Sequence, residues 1–173
     1  MKEVELRAFI TPEKYEELKI FFDANAEFVK EDEQETHYFD CAEDLRIQKN
    51  NYYCKVWMKK GELHDDSREE TEIIFSKDEF LKLESLFKAL NYNVSIKWFR
   101  NRKEYKWIGA SVMLDCTKGY GCIIELEILT EDEEEESVKK LKLLFEELKI
   151  PITPKEVFNE KYEYYKNNWK KLI

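Results

Sequence analysis

Three stretches of the chain alternate like β-strands, yet each carries charge on one face. In EVELR, residues 3–7, Glu3, Glu5 and Arg7 alternate with Val4 and Leu6. In REETEIIF, residues 68–75, Arg68, Glu70 and Glu72 share a face, opposite Glu69, Thr71 and Ile73. In IIELEIL, residues 123–129, Glu125 and Glu127 alternate with Ile124, Leu126 and Ile128. Period 2 puts successive side chains on opposite faces of a strand. By that rule strands are expected near 2–9, 27–31, 35–40, 44–48, 53–60, 68–75, 93–107, 110–117 and 121–129.

Apolar positions spaced three and four apart mark the helices between them. Thr11 caps the first, with Pro12 at its first position and Tyr15, Leu18, Phe21 and Phe22 as its stripe. Ser76 and Glu79 match a capping box ahead of Phe80, Leu83, Leu86, Phe87 and Leu90. Thr130 and Glu133 match another. After it the acidic run 131–136 fits a solvated first turn, because Val138, Leu141, Leu144, Phe145 and Leu148 continue as a stripe. Thr153, Pro154 and Glu156 open the last helix, which carries Val157, Phe158, Tyr162, Tyr165 and Trp169. This order predicts an α+β fold with a large antiparallel sheet whose apolar faces are covered by helices. With 4 glycines and 3 prolines in 173 residues no linker stands out, so residues 1–173 are expected to form one domain.

Charged residues make up 39% of the chain and the net charge is −9, which argues against a nucleic-acid partner. There is no signal peptide and no membrane-spanning apolar run, so a cytoplasmic protein is expected, away from membranes. Cys41, Cys54, Cys116 and Cys122 have neither zinc spacing nor a C-x-x-C pair and are expected to be reduced structural thiols. His37 and His64 stand alone and receive no catalytic role.

The bases alternate as well. Arg46 shares a face with Gln48, Lys55 with Trp57 and Lys59, and Arg100 with Arg102. Solvent is the ordinary destination of a polar strand face. Here acids and bases are ordered on several strands, and a sheet closed into a barrel would bring them together around an interior of water and ligand. Carboxylates crowded there repel one another and need cations: the Lys and Arg rows, and a divalent ion such as Mg²⁺ or Mn²⁺. The bases in turn need an anion, and a polyphosphate suits them. A metal-bound triphosphate satisfies both, in a setting suited to phosphoryl transfer.

These stretches occur in an order that resembles the CYTH superfamily, the triphosphate tunnel metalloenzymes. EVELR is similar to its ExExK motif, HYFD (37–40) to a YFD stretch, and LRIQ (45–48) to LRIR. WMKKG (57–61) resembles the TxKG strand, REETE (68–72) the RxExE strand and RNRKEY (100–105) the KxRxxY strand. LDCTKGYGCIIELE (114–127) resembles the LDxxxGLGxFxExE signature. The resemblance implies an eight-stranded antiparallel tunnel and cation-dependent chemistry on a triphosphate. It assigns Glu3, Glu5, Glu70, Glu72, Asp115, Glu125 and Glu127 to metal, and Arg7, Arg46, Lys55, Lys59, Arg68, Arg100 and Arg102 to phosphate. Glu3, Glu5, Arg7 and Lys59 are the candidate catalytic groups. Departures are Arg7 for Lys, Gln48 for Arg, Trp57 near the usual Thr, Tyr120 for Leu, and a C-terminal NEKYEYY that only loosely matches. Hydrolysis of an inorganic or organic triphosphate is the expected reaction. Class IV-type adenylyl cyclisation of ATP and silent binding of a polyphosphate or nucleotide are the alternatives, with monomer and homodimer both open.

Overall fold

The computed structural model describes residues 2–59, 70–131 and 133–173, apart from the side chains of residues 2, 59 and 70. Arg68 and the turn before it lie outside the described residues. In chain order the elements are β1 (Lys2–Ile10), α1 (Pro12–Asn25), β2 (Glu27–Phe39), β3 (Asp44–Lys49), β4 (Cys54–Lys59), β5 (Glu70–Phe75), α2 (Phe80–Ala89), β6 (Val94–Trp107), β7 (Ala110–Thr117), β8 (Gly121–Thr130), α3 (Glu134–Glu147) and α4 (Lys155–Leu172).

The strands form one antiparallel sheet in the order β1-β8-β7-β6-β2-β3-β4-β5. Two expected strands, 27–31 and 35–40, are a single 13-residue strand, β2. The segment between them contains no glycine or proline to break it, and its polar residues have an inner face to occupy. The expected closed barrel is not formed by hydrogen bonds: among the described residues no ladder joins β1 to β5. Part of the free edge of β1 is instead taken up by a loop. Thr153 N–H donates to the Arg7 carbonyl (3.1 Å), and Thr153 Oγ1 accepts from Phe9 N–H (2.9 Å). A loop seated this way blunts an edge strand.

Helices cover the outer face in two places. Tyr15, Leu18 and Phe22 of α1, with Leu141, Leu144 and Phe145 of α3, pack on Tyr105, Val112, Leu114, Ile124 and Leu126. Each such side chain contributes about 1.5–3 kcal/mol when fully buried. Phe80 and Leu83 of α2 pack on Phe39, Ile47 and Cys54. Leu86 and Leu90, expected in that stripe, are exposed. His37 is buried at this joint, with Nε2 2.7 Å from Glu35 and Nδ1 2.7 Å from Glu84 on α2. The third helix contact is on the inner face: Tyr165 and Trp169 of α4 pack against Ile96, Trp98 and Tyr120.

Local signals held unevenly. Thr11 Oγ1 accepts from Lys14 N–H as an N-cap. Ser76 makes no capping bond, and a 3₁₀ turn (Lys77–Glu79) leads into α2 instead. Thr130 Oγ1 accepts from Glu133 N–H (3.0 Å) just ahead of α3. Thr153 does not cap α4, because its hydroxyl is spent on β1. The cysteine expectation is corrected: Cys116 and Cys122 are cross-strand partners joined by a disulfide, leaving Cys41 and Cys54 as free thiols.

Candidate active site

Strand parity decides which side chains turn inward. On β1 they are Glu3, Glu5 and Arg7; on β8, Glu125 and Glu127; on β6, Arg100, Arg102 and Glu104. Arg46 and Gln48 of β3 and Lys55 and Trp57 of β4 arrive from the other side of the sheet. Together they line one cavity of about 410 Å³, so the sheet curls enough for β1 and β4 to share an interior. The charged rows of β1, β3, β4, β6 and β8 turn toward this cavity.

The cavity is sorted along its length. At one end are the carboxylates. Pairing of β1 with β8 sets Glu5 opposite Glu127 and Arg7 opposite Glu125. Burial, then the charge of Glu3 and a shared hydrogen bond with it, then Glu125 and Glu5, push the pKa of Glu127 up to about 8. Nearby cations offset little of this: Arg102 is 3.6 Å from Glu125 and Arg7 3.4 Å from Glu5.

The bases occupy the middle and are braced rather than loose. Arg102 holds Asp115 with two bonds, Nε to Oδ1 (2.7 Å) and Nη2 to Oδ2 (2.6 Å), and Arg100 adds Nη1 to Oδ2 (3.2 Å). Burial works to raise the Asp115 pKa, but the two guanidiniums hold it below the usual carboxylate range. Arg100 also donates to Gln34 Oε1 from Nε (2.8 Å) and Nη2 (2.5 Å). Arg46 is fixed by Asp44 through Nε (2.6 Å) and Nη2 (2.5 Å). It stacks on Tyr38 (4.4 Å) and Trp57 (5.4 Å), while Arg7 lies over Phe158 (5.0 Å). Such contacts orient a guanidinium without consuming all five of its donors.

The far end is aromatic. Trp98 meets Tyr120 at a tilt (4.5 Å between ring centres) and Tyr165 edge-on (4.9 Å), and Phe158 and Tyr162 of α4 complete the lining.

Not every expected ligand joins the acidic end. Asp115 is committed to the arginines. Glu72 pairs with Lys55 instead of lining the cavity. Lys59 and Glu70 are opposite each other in the β4–β5 register, but their side chains lie outside the described residues, as does all of Arg68. Gln48 donates to Thr36 Oγ1 (2.9 Å) inside the wall. Trp57 does not obstruct the cavity but carries Lys55 (4.7 Å) and Arg46 on its ring.

Several lining residues carry no motif. Asp32 is fully buried and accepts from Asn51 N–H (2.9 Å) and Gln34 Nε2 (3.1 Å). Lys30, Gln34 and Thr36 follow the same period-2 row, which an unbroken β2 would have shown. Trp98 at the far end is likewise contributed by the fold, and so is Asp44, which braces Arg46 without lining the cavity.

Among the described residues no three acidic, His or Cys side chains already converge as a finished metal site. The donor chemistry nonetheless fits a hard cation: Glu3, Glu5, Glu125 and Glu127 are oxygen donors whose mutual repulsion is relieved only by a proton or a positive ion.

The CYTH domain family model matches residues 1–156. A conserved hypothetical protein of Pyrococcus furiosus is 25% identical, with 89% of this chain and 96% of that one covered and a TM-score of 0.72. The protein PH1819 of Pyrococcus horikoshii OT3 is 26% identical, with 87% and 92% covered and a TM-score of 0.71. A putative adenylyl cyclase of Hippeastrum, described as revealing a dominant triphosphatase activity, is 20% identical, with 90% and 92% covered and a TM-score of 0.68. No curated protein matches the chain. A family match over nearly the whole chain agrees with the acid-and-base row pattern of its strands, and the chain belongs to the CYTH domain family.

Proposed function

We propose that this chain is a divalent-cation-dependent phosphohydrolase acting on a triphosphate, inorganic or organic, held inside the cavity. One observation carries the reading: the carboxylates of Glu3, Glu5, Glu125 and Glu127 and four guanidiniums (Arg7, Arg46, Arg100 and Arg102) face the same enclosed space of about 410 Å³. That volume lies within the roughly 300–1,000 Å³ of small-molecule sites.

Glu3, Glu5, Glu125 and Glu127 would hold Mg²⁺ or Mn²⁺, which when bound polarises phosphoryl oxygens and offsets developing negative charge. The protein's own groups do the remaining work. Arg100 and Arg102, locked by Asp115, point their spare N–H donors at phosphate oxygens from a fixed direction. Arg46 and Arg7, held by stacking, bind the same chain of phosphates from the other walls. Lys55 adds a point charge once drawn away from Glu72. At the aromatic end α4 lies across the inner face and keeps water from that side, which strengthens each charge interaction within. We read the curled sheet as a tunnel wall around the substrate.

The Hippeastrum neighbour's triphosphatase activity supports hydrolysis. The aromatic end favours one second reading, a class IV-type cyclase, since Trp98, Tyr120 and Tyr162 offer flat surfaces for a nucleobase. A product-resolved screen of tripolyphosphate, ATP and thiamine triphosphate with Mg²⁺ and Mn²⁺ tests both. Orthophosphate release is expected. Cyclic AMP with pyrophosphate would replace the first reading by the second, and no product from any substrate would remove both.

A further inference from the structure

A second cavity, of about 590 Å³, is floored by adjacent strands: residues 33–35 of β2, 99–101 of β6, and Cys116, Thr117 and Lys118 at the end of β7. It lies on the outer side, because Cys116 alternates with Asp115, whose carboxylate is inside. Lys49, Lys77 and Lys118 surround it. Lys49 is paired with Glu35 at 2.7 Å. Lys77 and Lys118 are exposed and make no ion pair among the described residues, leaving Glu33 as the one unmatched acid of the lining. Phe99 supplies an apolar floor.

Cys116 lines this cavity and Cys122 does not. The Cys116 end of the Cys116–Cys122 disulfide therefore borders a pocket with unpaired lysines at its edge. We propose that this pocket is a thiol-exchange site for a small anionic thiol, which opens the disulfide by attack at Cys116. The thiolate of the incoming molecule bonds to the Cys116 sulfur, and the bond to Cys122 breaks with Cys122 leaving as a thiolate. A second thiolate of the same kind then attacks the incoming sulfur and releases Cys116. Two small thiols are oxidised to their disulfide and the protein disulfide is reduced to two thiols. The protons lost by the attacking thiols are taken up by the two cysteines.

The other cysteines do not compete. Burial pushes the Cys41 and Cys54 thiols up, and each donates to a carbonyl, of Glu43 and Ser76 respectively. The exchange would also reach the inner cavity. Cys116 adjoins Asp115, the brace of two arginines, and Cys122 adjoins the lining residue Ile123. The bond thus ties the hairpin together directly behind the arginine anchor. The inference does not depend on the triphosphate reading, because its readouts are masses and rates of the protein itself.

The test uses the full oxidised chain, intact-mass detection, and two probes, glutathione (anionic) and cysteamine (cationic), compared at equal thiolate concentration. Glutathione should open the bond roughly three- to tenfold faster. Lys77→Glu with Lys118→Glu, both exposed, should remove that preference. With oxidised glutathione, the Cys122→Ser protein should form its mixed disulfide at Cys116 several-fold faster than the Cys116→Ser protein does at Cys122. Equal rates for the two probes, a preference that survives the lysine changes, or purified protein lacking the disulfide would each overturn the proposal.

Discussion

At the residue scale, what matters is which charges are already paired. Asp115 is 4% exposed and binds two guanidiniums, so it acts as an anchor for Arg100 and Arg102. Replacing it with Asn would leave both bases under-compensated in a buried wall. Asp115→Asn should lower unfolding free energy by about 3 kcal/mol, read from urea melts, and should weaken triphosphate binding because the arginines lose their fixed direction. An unchanged melt would show that the arginines find other partners. Glu127 is the opposite case, a carboxylate with too much negative charge around it. Glu127→Gln keeps the shape and removes a proposed cation ligand, so cation-dependent turnover should fall roughly 100-fold or more while the circular dichroism spectrum stays the same. Turnover near wild type would take Glu127 out of the cation site.

At the element scale, the strands were largely legible and the joints between elements were not. Period 2 located the charged rows on β1, β3, β4, β6 and β8, because one polar residue in two is a local property of the chain. Joints depend on partners distant in sequence. Thr153 looks like a helix cap, yet its hydroxyl accepts from Phe9, 144 positions away. The resemblance placed Asp115 with the metal ligands, and its pairing with the arginines was not legible because only the β6–β7 register sets it beside Arg102. The break expected within β2 came from a polar run that reads as a loop until an inner polar face exists. Spacing alone could not reveal the disulfide, since only the β7–β8 register sets Cys116 opposite Cys122. Two predictions follow from these joints. Thr153→Val removes the acceptor of Phe9 N–H and should destabilise the fold by about 1–2 kcal/mol. Because β1 carries Glu3, Glu5 and Arg7, the same change should reduce cation affinity, measurable by calorimetry; stability loss without an affinity change would show that β1 is held elsewhere. Cys116→Ser with Cys122→Ser should cost about 2 kcal/mol against the oxidised protein, and adding reductant to the wild type should reproduce that loss.

At the scale of the whole molecule, the cavity stores repulsion that folding alone does not discharge. The chain folds with a net charge of −9 and gathers four of its carboxylates at one end of an enclosed space. Such an arrangement is stable only with a proton or a cation among them, and pH selects which. Folded Glu127 keeps its proton to about pH 8, whereas the unfolded chain releases it near 4.5. The folded state therefore binds more protons across that window, so stability should fall as pH rises from 4.5 to about 8 and level off above. Allowing for screening by solvent at this partly exposed group, the loss is on the order of 2 kcal/mol. On the proposed reading a divalent cation would bind the deprotonated cluster, so its stabilising effect should run the other way. Thermal melts with and without Mg²⁺ should show a small rise in Tm near about pH 5 and a larger one near about pH 8, and Glu127→Gln should shrink the difference. Equal Mg²⁺ shifts at both pH values would mean that the ion binds outside this cluster, and the carboxylates would then need the arginine wall alone to hold them together.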